Sequence, residues 1–163
     1  MSEHEPPTAD APEVAALVAR ARSVRGHAYA PYSGFHVGAV VVTAAGATFE
    51  GVNVENVSYR LTTCAEQTAL AAMCAAGARE EVVTVVVAGD GDQPCTPCGA
   101  CRQTIAEFGS RAMVYATGQH GAVVAQPIDV LLPEAFTPDR LAAGGDAAPA
   151  RQPVPPEASH GGA

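Results

Sequence analysis

Apolar residues near the start of the chain recur at the spacing of one helical face. The stripe consists of Val14, Leu17, Val18, Ala21 and Ala28. This i, i+3, i+4 pattern predicts an amphipathic helix. Asp10 as a cap and Pro12 as a first-turn residue mark its start, and we expect it to end within residues 26–30.

After a turn at residues 31–34, the apolar pattern becomes that of strands. The predicted strands are residues 35–43, 48–54, 82–88, 112–116 and a last one formed by 122–125 and 128–132. The first two are predicted to pair as a hairpin that turns at Gly46. Pro127 interrupts the last strand, which favours a position at the sheet edge.

Two further helices are predicted between these strands. They span residues 64–76 and 98–108, and Gly77 and Gly109 are their predicted stops. The strand-helix-strand-helix-strand order over residues 47–116 predicts parallel strands with right-handed crossovers. Both helices then begin at the carboxyl ends of strands, where ligand sites of α/β sheets lie.

The length and composition of the chain predict one folded domain with short extensions. The chain has 163 residues, of which 48% are hydrophobic, so it can bury a sizeable core. We assign residues 11–141 to this domain and residues 1–10 to a flexible segment. Residues 142–163 are rich in Ala, Gly and Pro and are predicted to be a disordered tail.

Charge and cysteine content exclude several function classes. The formal net charge is −8, and the nine basic residues are scattered arginines, which argues against a nucleic-acid polymer as partner. No apolar run approaches the roughly 20 residues of a membrane helix, and no apolar leader is visible at the start. Five cysteines without a leader favour a reducing compartment, so we expect a soluble cytoplasmic protein.

Three cysteines at the predicted helix starts point to a metal. Cys64 opens the first of these helices, and Cys98 and Cys101 open the second at an i, i+3 spacing that zinc uses. Three thiolates leave one tetrahedral position open, which is typical of a catalytic zinc. Glu66 lies two residues after Cys64 and is the candidate proton shuttle.

Other interpretations of these residues remain open from spacing alone. C-x-x-C is also a redox dithiol, and Cys95 extends it to a run that resembles an iron–sulfur ligand set or a closed four-cysteine zinc site. Pro97 separates Cys95 from the helix, which favours three ligands. Thr63 and Glu66 also fit a capping box, in which Glu66 would bond the cap backbone; a neighbouring metal favours catalysis.

Five segments together resemble one enzyme family. They are P-Y-S-G-F-H-V-G-A (31–39), G-V-N-V-E-N-V-S-Y (51–59), T-C-A-E-Q-T-A-L (63–70), P-C-G-A-C-R-Q (97–103) and L-L-P-E-A-F (131–136). The chain resembles the cytidine deaminases, in their short, homotetrameric, three-cysteine form. The resemblance implies a three-layer α/β/α sandwich around a mixed sheet of about five strands, and one Zn²⁺ per subunit.

The resemblance also implies roles for individual residues. Cys64, Cys98 and Cys101 would hold the zinc, and Glu66 would move protons from the attacking water to N3 of the pyrimidine and to the departing ammonia. The implied substrate contacts are Phe35, Asn53, Glu55, Tyr59, Ala65 and Phe136. Asn53 and Glu55 would bind the ribose hydroxyls, and Phe136 would stack on the base in a neighbouring subunit's site.

One departure and two rival functions stay open. Many three-cysteine relatives have Arg after C-A-E, whereas this chain has Gln67. The thiolate charge would then be offset by two helix N-termini, with Arg102 as a further candidate. The rival functions are deamination of a modified cytosine nucleoside such as blasticidin S, and a zinc-stabilised binding module without catalysis.

Overall fold

One mixed sheet forms the middle layer of the computed structural model, which describes residues 6–143. Its strands in chain order are β1 (Val37–Thr43), β2 (Thr48–Val52), β3 (Val82–Gly89), β4 (Met113–Thr117) and β5 (Val124–Pro127). Their spatial order is β2-β1-β3-β4-β5. The β3–β4 pair is parallel, and the other three neighbouring pairs are antiparallel. The predicted hairpin of β1 and β2 is confirmed, and Gly46 takes the left-handed conformation of its turn at φ 82°.

Helices cover both faces of the sheet. They are α1 (Pro12–Val24), α2 (Ala65–Ala75), α3 (Gly99–Phe108), α4 (Ile128–Leu131) and α5 (Pro138–Ala143). On one face, Val14, Val18 and Ala21 of α1 pack against β1, β3 and β4. On the other face, α2 and α3 share a second core with the same strands. This arrangement is the predicted three-layer α/β/α sandwich with a mixed five-stranded sheet.

The crossovers bring two helix starts to one edge of the sheet. Strands β2, β3 and β4 run in the same direction, so α2 and α3 begin where β2 and β3 end. Gly51 in β2 lets α2 lie directly on the strand, because a Cβ atom there would fall 2.2 Å from the backbone nitrogen of Ala69. The fold therefore fixes the first turns of α2 and α3 beside each other.

The predicted cap of α1 is wrong by one residue. The N-cap is Ala11, with extended backbone (φ −65°, ψ 140°), and Asp10 makes no capping bond. Pro12 explains the difference, because a proline disfavours the helical conformation in the residue before it. Helix α1 ends at Val24 and continues as a short 3-10 turn at Arg25–His27.

The last predicted strand is only half correct. Val124–Pro127 forms the edge strand β5, but the residues after Pro127 form the short helix α4. Leu132 donates its N–H to the carbonyl of Ile128 at 2.8 Å, as a helix requires. Ile128 is buried while Asp129 and Val130 are exposed, so the apolar run has one core position rather than a strand face.

The two predicted glycine stops work in different ways. Gly77 has φ 82° and donates to the carbonyl of Cys74 at 3.0 Å, as expected of a left-handed helix end. Gly109 is extended at φ −162°. It is needed for space, because a Cβ atom there would lie 2.0 Å from the carbonyl oxygen of Val82.

The proposed domain limits remain a prediction. Residues 1–5 and 144–163, where most of the predicted flexible segment and tail fall, lie outside the described residues. Within the described part, Tyr115 donates its hydroxyl to the carbonyl of Pro7 at 2.6 Å, and α5 runs to Ala143, past the predicted limit at 141. Among residues 6–143, none of the helices has the length and apolar character that crossing a bilayer requires.

Candidate active site

Three sulfur atoms meet at the paired starts of α2 and α3. The Sγ atoms of Cys64, Cys98 and Cys101 all lie within 4.8 Å of one another, and those of Cys64 and Cys98 are 4.0 Å apart. Tetrahedral coordination with zinc–sulfur bonds of about 2.3 Å requires sulfur separations of about 3.8 Å. The three thiols therefore fit a zinc ion with little rearrangement.

Each of these cysteines occupies a defined position in the first turn of its helix. Cys64 and Cys98 are the N-caps of α2 and α3, both with extended backbone, and Cys101 lies three residues into α3. Cys98 is exposed, whereas Cys101 is fully buried. The thiols thus lie at the positive ends of two helix dipoles, which stabilise negative charge on sulfur.

Hydrogen bonds among the three thiols shift the pKa values of Cys64 and Cys101 in opposite directions. Hydrogen bonding with Cys101, and less strongly with Cys98, lowers the pKa of Cys64 to about 7 even though burial and the nearby Glu66 carboxylate oppose this. The same hydrogen bonding with Cys64, together with burial, raises the pKa of Cys101. The cluster therefore favours a first thiolate on Cys64, which is the form that binds a metal.

The fourth cysteine of the region, Cys95, lies outside this group. Burial raises its pKa to about 11, so it remains a neutral thiol near neutral pH. Its N–H donates to the carbonyl of Thr117 at 3.3 Å, and it packs where a Cβ atom on Gly89 would fall 2.8 Å from its own Cβ. These contacts assign Cys95 to the end of β3 and β4 rather than to the thiol cluster.

Glu66 is a buried carboxylate next to the thiols. Burial raises its pKa, partly offset by hydrogen bonds from its own backbone N–H and from the Cys101 thiol. The capping box predicted for Thr63 and Glu66 is wrong, because the N-cap is Cys64 and the N3 residue is Gln67. The Cys64 N–H points to Oε1 of Gln67 at 3.5 Å, which leaves Glu66 free of a capping role.

Arg102, the sequence candidate for offsetting the thiolate charge, is held by backbone oxygens. Its Nε donates to the carbonyl of Pro97 at 2.9 Å and its Nη1 to the carbonyl of Leu131 at 2.9 Å. These bonds fix the guanidinium next to Pro97, the residue before Cys98. Its contribution to the charge of the cluster stays a prediction.

Asn53 connects the end of β2 to the segment that carries Phe35. It is buried, its Oδ1 accepts the N–H of Val37 at 2.8 Å, and its Nδ2 donates to the carbonyl of Phe35 at 2.9 Å. The second Nδ2 hydrogen and the second lone pair of Oδ1 are left for a ligand. Asn53 is therefore held rigidly beside Phe35.

Glu55 accepts hydrogen bonds from the turn at residues 31–34. The backbone N–H groups of Tyr32 and Ser33 donate to Oε2 at 2.9 and 3.1 Å, and the Ser33 hydroxyl donates to Oε1. The hydroxyl bond is the largest cause of the lowered pKa of Glu55. Burial opposes it as the next largest cause, and the two backbone bonds add to the lowering. The same hydroxyl accepts the N–H of Phe35 at 3.0 Å.

A short β-bridge links these residues to the thiol cluster. Val54 and Thr63 pair antiparallel, with N–H to carbonyl distances of 2.9 and 3.0 Å. The bridge closes the loop of residues 55–62. Because Val54 pairs with Thr63, its neighbours Asn53 and Glu55 lie close to Cys64 in space. Tyr59 lies in this loop, is exposed, and makes an edge-to-face contact with Tyr32 at 6.0 Å between ring centroids.

Two of the predicted substrate contacts, Ala65 and Phe136, differ in burial and in position. Ala65 is fully buried as the first residue of α2, so only its backbone is available to a ligand. Phe136 is exposed and lines a cleft of about 1010 Å³ with residues from the end of α3, such as Phe108; none of the three cysteines lines this cleft. Phe136 is therefore not brought to the thiol cluster of its own chain.

Sequence reasoning missed the residues that hold these side chains in place. Ser33 links Glu55 to Phe35, and Gln103 bonds both backbone groups of Phe136. Both lie inside segments that the sequence singles out, P-Y-S-G and P-C-G-A-C-R-Q. Their presence in those segments was the available signal, but their partners are distant in sequence.

The comparisons with known proteins agree with this geometry. The family model of the cytidine and deoxycytidylate deaminase zinc-binding region matches residues 12–117. The cytidine deaminase of Sporosarcina psychrophila is 42% identical over 130 residues, which cover 79% of this chain and 95% of that protein.

Solved structures agree as well. The 1.6 Å crystal structure of cytidine deaminase from Burkholderia pseudomallei has a TM-score of 0.72 at 46% identity, covering 75% of this chain and 98% of that chain. Cytidine deaminase from Mycobacterium tuberculosis has a TM-score of 0.67 at 32% identity, covering 78% and 99% of the two chains.

The fold and the thiol cluster with its buried carboxylate define a hydrolytic deaminase. More narrowly, the chain belongs to the family of cytidine and deoxycytidylate deaminases. The resemblance drawn from the five sequence segments is thereby confirmed.

Proposed function

We propose that this enzyme hydrolyses cytidine and 2′-deoxycytidine to uridine and 2′-deoxyuridine, with release of ammonia, in pyrimidine salvage. The observation that carries the proposal is the buried Glu66 carboxylate beside three thiols that fit one metal ion. Relatives that match over most of both chains are named cytidine deaminases, which supports the choice of substrate.

The cofactor in this proposal is one Zn²⁺ per subunit, held by Cys64, Cys98 and Cys101. The spacing of the three Sγ atoms and the lowered pKa of Cys64 support this ligand set. When bound, the metal would supply Lewis acidity that makes water a stronger acid near neutral pH. Three protein ligands leave a position for that chemistry, and Cys95 lies outside the group of three sulfur atoms that could hold the ion.

Glu66 would move the protons of the reaction. One carboxylate oxygen takes a proton from the attacking water and delivers it to N3 of the pyrimidine. The water oxygen would bond to C4 of the pyrimidine, and Glu66 would take the second proton from that oxygen and pass it to the amino group. The C4–N bond then breaks, so that water and cytidine give uridine and ammonia. Burial raises the pKa of Glu66, and a carboxyl group that is less acidic than usual is better matched to both accepting and donating a proton.

The remaining contacts would select a nucleoside. Asn53 and Glu55 offer an amide and a carboxylate to the ribose hydroxyls, and a carboxylate would repel a 5′-phosphate. Phe35 and Tyr59 would line the base pocket, and the backbone of Ala65 would meet the base edge. A nucleoside is therefore favoured over a nucleotide as the substrate.

The proposal includes a homotetramer with shared sites. Phe136 is exposed and lies away from the thiols of its own chain, and Phe35 and Tyr59 are also exposed. Stacking of Phe136 on a base in a neighbouring subunit's site would bury part of this surface. Analytical ultracentrifugation tests the assembly. A cytoplasmic location is proposed because the cysteine thiols of the cluster must stay reduced to bind a metal.

Replacement of Glu66 by Gln tests the function. We expect cytidine turnover, followed by ultraviolet absorbance and ammonia release, to fall by roughly 10²–10⁴-fold, because general acid–base catalysis is worth that much. Zinc content should stay near one per subunit. The matched control is Glu107→Gln, which changes an exposed carboxylate of α3 and should leave both quantities unchanged.

Three outcomes would overturn the proposal. Full turnover by Glu66→Gln would remove the carboxylate from the mechanism. Activity in metal-free protein would remove the zinc. Turnover of a modified cytosine nucleoside such as blasticidin S without turnover of cytidine would shift the substrate class.

A further inference from the structure

We propose that Gln103 is a positioning residue that fixes Phe136 to the helix that bears two of the metal ligands. The inference rests on the proposed function, in which Phe136 contacts the base bound by another subunit. It adds that the placement of this aromatic side chain is set by α3 of its own subunit. The segment of residues 131–136 is called here the Phe136 arm.

The side-chain amide of Gln103 bonds both backbone groups of Phe136. Its Nε2 donates to the Phe136 carbonyl at 2.7 Å, and its Oε1 accepts the Phe136 N–H at 3.1 Å. One planar amide thereby fixes the position and direction of the backbone at residue 136 in the manner of a β-ladder pair. The aromatic side chain takes no part in this pairing and is 60% exposed.

The preceding residue of α3 fixes the other end of the arm. Arg102 donates from Nη1 to the carbonyl of Leu131 and from Nε to the carbonyl of Pro97, each at 2.9 Å. Pro97 directly precedes the ligand Cys98, and Arg102 directly follows the ligand Cys101. The arm is thus bonded at both ends to the turn of α3 that presents the thiols.

The hydrogen bonds to α3 fix the backbone of the Phe136 arm in one position, which the residues of the arm do not do by themselves. From Leu132 to Thr137 the arm has no regular secondary structure, so its backbone would otherwise sample many conformations. The cleft that Phe136 lines contains none of the three cysteines, and the ring is 60% exposed, so it is available to a partner outside its own subunit. A second copy of this chain is the partner that the proposed function supplies.

A positioning role predicts a specific kinetic signature. Loosening the arm should weaken binding of the nucleoside in the neighbouring site but should not alter the metal centre or the proton transfers of Glu66. The Michaelis constant should therefore rise while kcat and zinc content stay nearly constant. A residue that merely stabilised the fold would instead change the amount of folded enzyme without this split.

The test uses the full-length, zinc-loaded enzyme with cytidine as substrate. For Gln103→Leu, which removes both hydrogen bonds at similar size, we expect KM to rise about tenfold, or about 1.4 kcal/mol. Gln103→Glu keeps the acceptor for the Phe136 N–H but sets a second acceptor against the Phe136 carbonyl, so it should also raise KM. For both variants kcat should stay within about twofold, since catalysis itself is untouched.

The matched control is the next residue of the same helix. Thr104 donates its hydroxyl to the carbonyl of Ala100 at 2.9 Å, so its bond stays within α3. Thr104→Val removes that bond without touching the arm, and KM should be unchanged. An equal rise in KM for Thr104→Val would overturn the proposal, because the effect would then be a general loosening of α3.

A double-mutant cycle with Phe136→Ala decides whether Gln103 acts through Phe136. In that background, Gln103→Leu should change KM by less than about twofold, because the side chain it positions is gone. A second tenfold rise, or unchanged KM in the single variants, would overturn the inference. Gln103→Glu serves the same cycle if Gln103→Leu does not assemble. Wild-type enzyme that fails to turn over cytidine would instead defeat the proposed function.

Discussion

The thiol side and the nucleoside side of the site are built differently. On the thiol side, Cys101 is 0% exposed and Glu66 is 5% exposed. On the nucleoside side, Phe35, Tyr59 and Phe136 are 42%, 75% and 60% exposed. The first group is positioned by core packing of two helices on a sheet, whereas the second lies on loops and is positioned by hydrogen bonds to the backbone.

This difference separates chemistry from recognition. The thiol cluster at two helix starts lies within one chain, because the crossovers of β2 and β3 bring those starts together. The aromatic residues proposed to contact the nucleoside are exposed in a single subunit, so in the proposed function recognition depends on the polar contacts that hold the loops and on a neighbouring subunit. Variants on the two sides should therefore fail in different ways.

The largest expected effect separates Cys101 from Cys95. Cys101→Ala removes a buried ligand, so we expect loss of zinc and a fall in cytidine turnover of at least about 10³-fold, because metal Lewis acidity is worth several kcal/mol. Cys95→Ala removes a half-buried thiol outside the cluster and should keep one zinc per subunit. Metal analysis and turnover on both proteins check this, and loss of zinc in Cys95→Ala would contradict the three-ligand assignment.

A smaller effect is expected on the nucleoside side from Ser33→Ala. The hydroxyl of Ser33 links Glu55 to the N–H of Phe35, so its loss should raise KM about fivefold with little change in kcat. Steady-state kinetics with zinc analysis check this prediction. A fall in kcat or zinc content instead would show that the two sides of the site are not independent.

Ser33→Ala should also shift the pH dependence of kcat/KM in a defined direction. The Ser33 hydroxyl is the main cause of the lowered pKa of Glu55, so Ser33→Ala should raise that pKa. The carboxylate would then be lost at a higher pH as acid is added. The acidic limb of kcat/KM should therefore move to higher pH, and a shift to lower pH would contradict the role of Glu55 as a charged acceptor.

The smallest expected effect is on the free energy of unfolding and comes from the carboxylate of Asp90. Partial burial alone would raise the pKa of Asp90, but hydrogen bonds from the backbone and ring of His36, with the charge of Arg25, hold it below its ordinary value. A carboxylate whose pKa is lowered by folding stabilises the folded state at pH values above its unfolded pKa of about 3.9. That stabilisation is lost as the pH falls through the lower pKa of the folded state.

Asp90→Asn should therefore lower the urea midpoint at neutral pH, and the difference from wild type should shrink as pH falls below about 4. Unfolding curves between about pH 3 and pH 7 measure this. Asp92→Asn, an exposed change in the same loop, is the matched control. An equal loss at every pH would show that the contribution does not come from ionisation.

Spacing alone predicted the thiol side well. Cys98 and Cys101 lie three residues apart, within one helical turn, and the alternation of strands and helices places Cys64 at the neighbouring helix start. The first is a local rule and the second a general rule of sheet topology. Glu66 was identified by its distance from Cys64. It is free of a capping role because helix α2 begins one residue later than predicted, so that Gln67 rather than Glu66 occupies the N3 position.

The contacts of the loops were beyond prediction from the sequence. The bonds between Gln103 and Phe136 and between Ser33 and Glu55 span 33 and 22 residues, and no periodic pattern records such pairs. Arg102 was predicted as a charge near sulfur, yet its side chain reaches the Leu131 carbonyl 29 residues away. The helix at Ile128–Leu131 was likewise missed, because a short apolar run is compatible with either a strand or a helix.

The sequence by itself determined the family, the order of helices and strands, and the residue types of the metal centre, because each follows from local spacing or from segments with a known resemblance. Tertiary structure alone decided which polar side chains hold the aromatic residues and that Arg102 bonds the carbonyl of Leu131. These outcomes depend on distances between segments far apart in the chain, and those distances exist only once the sheet and its helices have packed.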